Sequence, residues 1–187
     1  MFHVFWLCYE ACKFYIKHGS SLTPRRIKNL LLAAMFHDFD HSGRLGDDDL
    51  NITRAIRALE RCILPEDKPW LEEISHMMRV TEFPYVIADE KLNLYEQIIR
   101  DADMSQSFNV AWVQQVIFGL ASEWNKKPIE VFKLQEPFIN GIKFRTEWTR
   151  QTFPQEVIVA KIAEAKGYIQ LLEGEIPSFQ VAVQRAA

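Results

Sequence analysis

No apolar run in this sequence approaches the ~18 residues that a membrane-crossing helix needs, so no membrane span is expected. The apolar start, "MFHVFWLCYEACKFY", has no basic leading segment and is interrupted by Glu10 and Lys13, which makes it a poor signal peptide. Disulfides are equally unpromising. The 3 cysteines cannot all pair, and Cys8, Cys12 and Cys62 are expected as buried free thiols in a reducing compartment. A zinc site built from Cys8, Cys12 and a histidine is the other reading of that spacing, although simple packing accounts for it. Together these absences point to a cytoplasmic protein. There is no excess of basic charge either. The net charge is -3 and the pI is about 6.0, which argues against a general nucleic-acid binder. No glycine-rich loop follows a strand, so nucleotide folds that depend on one are excluded. No internal repeat, low-complexity segment or credible strand pair is found.

What remains is a chain of 187 residues, 48% hydrophobic and 25% charged, enough for one globular domain with a real core. Helical periods dominate. Val4, Leu7, Cys8, Ala11 and Tyr15 share one face, and Gly19 ends that helix. Thr23-Pro24 opens a second helix with a cap and a proline at its first position, and its stripe is Ile27, Leu30, Leu31 and Ala34. Further helices are expected from Asp47 to Leu64, over "WLEEISHMMRVT", over "LNLYEQIIRDAD" and over "FNVAWVQQVIFGLASEW". A segment opened by Pro128 is expected to break at Pro137 and Gly141, and a last helix runs from about Pro154 to Leu172. The expected architecture is all-α, a single domain of about seven helices over residues 1–174, with a tail at 175–187.

Chemistry concentrates in "AAMFHDFDHSG". His37 and Asp38 prolong the buried face of the second helix, with Asp40 and His41 close behind. Polar groups at the inner end of a core helix need partners. Either this is a capped helix end facing solvent, or it is the floor of a metal site. Metal-dependent hydrolases gather several histidine and carboxylate ligands around an open position. Two further sources of ligands exist: His3, at the start of the first stripe, and the pair Asp101 and Asp103 at the end of "IIRDADMS".

The three stretches "HVFWLCYEA", "AAMFHDFDHSG" and "IIRDADMS" resemble the HD-domain metal-dependent phosphohydrolase superfamily, an all-helical group with ligands in the order His, His-Asp, Asp. Within it the likeness leans toward cyclic-nucleotide phosphodiesterases and their bacterial relatives. The resemblance spans about residues 3 to 106. It implies His3, His37, Asp38 and Asp103 as metal ligands, with Asp101 in reserve and otherwise a helix-end carboxylate facing water. It implies a divalent cofactor: Mn, Fe, Ni, Co or Zn suit such ligands, and Mg could occupy a second site bridged by Asp38. The family's usual general acid lies upstream of the first ligand and has no counterpart here; His41 or His76 are candidates for that role. Asp38 and His41 are therefore the expected catalytic groups.

The implied activity is hydrolysis of a phosphoester in a nucleotide or similar small molecule, with a cyclic-nucleotide-like diester first and a nucleoside monophosphate next. Arg44, Asn51, Arg79 and Thr81 are the candidate substrate contacts, with Lys143 and Arg145 as further cations. Two other classes stay open: a regulatory protein that binds metal or nucleotide without turnover, and an iron oxygenase using extra histidines. The aromatic-rich first and last helices could equally serve a homodimer or core packing.

Overall fold

The computed structural model describes residues 2–39 and 48–174. Within them every regular element is helical, 76% helical with no strand. The α-helices are α1 (Phe2–Lys17), α2 (Pro24–Phe36), α3 (Asp48–Cys62), α4 (Leu71–Arg79), α5 (Leu94–Met104), α6 (Gly119–Glu123), α7 (Pro128–Gly141), α8 (Glu147–Thr152) and α9 (Gln155–Glu173). The all-α expectation holds. The segments containing Asp40, His41 and Arg44, and the tail from residue 175, lie outside the described residues.

Local signals explain the helix ends. Gly19 takes the left-handed conformation at φ 82° that closes α1. The Thr23 side chain accepts from the Arg26 N–H, and Pro24 sits where its missing N–H does no harm. Asn93 and Glu96 form a reciprocal capping box on α5, each side chain taking a backbone N–H of the other's turn.

The main core joins α1, α2, α3, α4 and α5, with Trp148 of α8 added. Val4, Leu7, Cys8 and Ala11 of α1 face Leu30, Ala33 and Ala34 of α2 and Ile98, Ile99 and Ala102 of α5. A smaller core, Trp112, Ile117, Ala121, Val131, Phe132 and Ala165, packs the C-terminal helices. Three expectations need correction. Pro137 does not break α7, which runs through it to Gly141. Pro137 and Lys133, whose carbonyl loses its helix partner, are both exposed, so water can take that carbonyl. The sixth segment is not one α-helix: a π-helical turn, Val113–Phe118, precedes the short α6. Cys62 is exposed at the end of α3, while Cys8 and Cys12 are buried free thiols.

Asp101 ties α5 to the start of α8, and it does not face water. It is fully buried. Its carboxylate accepts the Arg145 N–H at 2.9 Å and the Thr146 N–H at 2.7 Å. The Arg145 guanidinium lies 3.4 Å away. Thr146 is the N-cap of α8, so one carboxylate on α5 holds the start of another helix. Burial pushes the Asp101 carboxyl pKa up, opposed by those backbone donors and by Arg145. Removing it strands buried N–H groups and a guanidinium. We expect Asp101→Ala to lower unfolding free energy by about 3 kcal/mol in a denaturant titration, and Asp101→Asn, which keeps one acceptor, by less.

A candidate metal centre at the ends of two helices

His37 is the residue at which α2 ends. Its backbone N–H still bonds the Ala33 carbonyl at 2.8 Å, so the ring points inward from a helix that has not yet frayed. The ring is buried. Nδ1 donates to the Ala34 carbonyl at 2.9 Å, which fixes ring orientation and leaves Nε2 as the free face. Nε2 stands 3.1 Å from Asp38 Oδ2 and 3.4 Å from Asp103 Oδ1. Nε2 is buried and pairs with both carboxylates by charge, although neither oxygen meets it along the line of a good hydrogen bond.

Asp103 comes from the last turn of α5 and is steadied by Gln106, whose amide donates to Oδ1 at 3.0 Å. One donor atom from each of His37, Asp38 and Asp103 lies within 4.8 Å of the others. The Asp38 side chain is 40% exposed and that of Asp103 22%, so the carboxylates form the open side and the imidazole the closed floor. That donor set suits a divalent transition metal. The buried Nε2, held between two carboxylates without an aligned hydrogen bond to either, is the specific observation that fits one.

His3, in the first turn of α1, is not part of that three-residue set. Its Nε2 is nevertheless buried and likewise has no partner. Burial lowers its pKa, which keeps the ring neutral and able to offer a lone pair. Further along α1 the buried Cys8 thiol is pushed well up, by burial first, then by Cys12 and by the Asp103 carboxylate. α1 therefore runs past the Asp103 end of α5, and Cys8 stays a protonated thiol there.

The other sequence candidates are dispersed. Asn51 is buried in α3. The Thr81 hydroxyl donates to the Met78 carbonyl at 2.7 Å, closing the end of its own helix. Arg79 is exposed and lines an open groove with Trp70, Glu73 and His76. His76 Nε2 stands 3.5 Å from Glu96 there. Arg145 is engaged with Asp89 at 2.7 Å and with Asp101. His41 and Arg44 fall outside the described residues. Sequence reasoning missed Arg100 and Tyr85, which pack beside Arg145. Arg100 had one signal: a lone arginine inside the apolar stripe of α5.

No protein-family model matches the chain, and no curated protein and no solved structure is detectably similar to it.

Electrostatics sets a pH dependence. Burial alone would lower the His37 pKa, but Asp38 and Asp103 outweigh it and hold it well above the usual histidine value. Without metal His37 is an imidazolium between two carboxylates. A folded pKa above the unfolded one means stability fully present below the unfolded pKa and lost as pH rises through the folded pKa. The metal-free chain should thus lose stability as pH rises into the alkaline range, and His37→Gln should flatten that slope in urea titrations. A cation must displace the same proton, so calorimetry at pH 7 in buffers of different ionisation enthalpy should register proton release on Zn or Mn uptake.

Proposed function

We propose that this chain is a metal-dependent phosphohydrolase acting on a phosphoester of a nucleotide or similar small molecule. The observation that carries the reading is the buried Nε2 of His37 clustered with the carboxylates of Asp38 and Asp103, with no aligned hydrogen bond to either. Those three residues would hold a divalent cation, with His3 as the fourth ligand implied by the resemblance to the HD superfamily. Such a cation supplies Lewis acidity toward a phosphoryl oxygen and makes water acidic enough to attack near neutral pH.

The protein's own groups do the rest. The Ala34 carbonyl fixes the tautomer of His37, so that Nε2 is presented to the site. Gln106 holds Asp103 in place. The Asp38 carboxylate, on the open side, is the group best placed to accept a hydrogen bond from an incoming water and orient it in line with the leaving oxygen. His41, four positions along the chain from His37, is proposed to carry the proton to the leaving group.

A diester such as a cyclic nucleotide is the first substrate class, and a nucleoside monophosphate the second. Purified protein assayed with Mn, Ni, Co, Zn or Mg should turn over bis-p-nitrophenyl phosphate or a cyclic nucleotide faster than p-nitrophenyl phosphate. Asp38→Ala should reduce that rate by at least about a hundredfold. Preference for the monoester would move the assignment to a phosphomonoesterase. Stoichiometric metal binding with no turnover of any ester would make the chain a binding protein instead.

A further inference from the structure

Tyr85 lies on the connection between α4 and α5, and its ring carries two guanidiniums. Arg100 stands 4.0 Å from the ring centroid and Arg145 4.9 Å. Arg100 is only 1% exposed. Its Nε donates to the Val80 carbonyl at 2.6 Å, and Nη1 donates to the Ile87 carbonyl at 3.0 Å and to Asp89 at 2.9 Å. Its Nη2 is buried with no partner. The Tyr85 hydroxyl is also buried with no partner. Buried donors are seldom left so, because each forgoes its hydrogen bond to water.

The place of that hydroxyl is informative. Arg100 precedes Asp103 by three positions on α5, which makes the two neighbours on one helix face. A phenol stacked on Arg100 therefore packs against the face of α5 that also carries a candidate metal ligand. Burial raises the Tyr85 pKa, and among charged groups Asp103 acts on it most strongly, ahead of Arg145, Arg100 and Asp101. The hydroxyl keeps its proton at any working pH, so it is a donor. The adjacent guanidiniums polarise it, and their own charges are largely committed to Asp89 and Asp101.

We propose that the Tyr85 hydroxyl is the donor of a phosphoryl subsite, receiving a non-bridging oxygen of a phosphate group whose other oxygens face the His37, Asp38 and Asp103 cluster. This rests on the phosphohydrolase reading and adds to it a substrate-binding residue that the motif order does not contain. Arg100 and Arg145 are positioning residues that hold the ring. The rival is that Tyr85 is only an aromatic floor for two arginines.

Tyr85→Phe separates the two, because it keeps the ring and both stacked cations and removes only the hydroxyl. The chain, its 5 tyrosines labelled with ¹³C at Cζ, is loaded stoichiometrically with Zn and titrated with inorganic phosphate, read by NMR and calorimetry. One tyrosine signal, absent in Tyr85→Phe, should shift on phosphate binding, and the variant should bind phosphate about tenfold more weakly with unchanged Zn affinity. Bound phosphate with no moving tyrosine signal overturns the proposal, as does equal phosphate affinity in the variant; the metal reading survives either result. Failure of wild-type protein to take up Zn removes the metal reading and this one together. Zn uptake without phosphate binding removes this one alone. The phosphate-induced shift is read on the wild-type chain, so it stands whatever the stability of the variant.

Discussion

The last turn of α5 is where the molecule places charge on a helix that the core has otherwise claimed. Ile98, Ile99 and Ala102 are fully buried, and Arg100 and Asp101 lie among them with no more access to water. A buried charge persists only with partners. Arg100 finds the Val80 and Ile87 carbonyls and Asp89, while Asp101 finds the backbone at the start of α8. Both sets of partners come from outside the helix, so neutralising these charges also fixes the connection after α4 and the segment before α8. Asp103, at the end of the same turn, inherits a rigid mount. A ligand needs that, because a metal site tolerates little play in its donors.

The imidazole of His37 is governed by the same charge logic. Two carboxylates within 3.4 Å of a buried nitrogen demand a positive charge between them. A proton satisfies part of that demand and a divalent cation more of it. The two compete for one place, so any affinity of the centre for metal is tied to pH. The tether from Nδ1 to Ala34 keeps the ring fixed in both states, so the exchange requires no rearrangement of α2.

Much of this was legible in the sequence. The apolar stripes of α1, α2 and α5 and the capping signal at Thr23 are local, and they lie where periodicity and cap chemistry put them. His37, Asp38 and Asp103 were also legible, as polar residues at the inner ends of apolar helices. What escaped was long-range. Asp101 and Asp103 look alike in the string "RDADMS", yet one is consumed by a backbone 44 residues further on. Spacing tells which side chains share a face and says nothing of what arrives against it. Tyr85 was invisible for the same reason: its meaning depends on Arg100 and Arg145, which lie on either side of Asp101 and Asp103 in the chain. Pro137 misled in the opposite direction, because a proline breaks a helix only where the lost bond cannot be replaced by water.

A cluster of histidine and carboxylates can also be an ordinary ion-pair network, and geometry distinguishes the two. In a structural pair the donor points at its acceptor, as Arg145 Nε does at Asp89 over 2.7 Å. His37 Nε2 instead sits between two carboxylates at 3.1 and 3.4 Å, paired with both by charge and aligned with neither as a hydrogen bond. His3 repeats the feature from another helix, a buried ring nitrogen with nothing to bond. Two buried ring nitrogens, at the start of α1 and the end of α2, thus lack an aligned hydrogen bond. On the proposed reading, a bound cation would supply what both nitrogens lack. Among the described residues the buried Tyr85 hydroxyl and Arg100 Nη2 also lack a hydrogen-bond partner, and the proposed phosphoryl group would give the hydroxyl one.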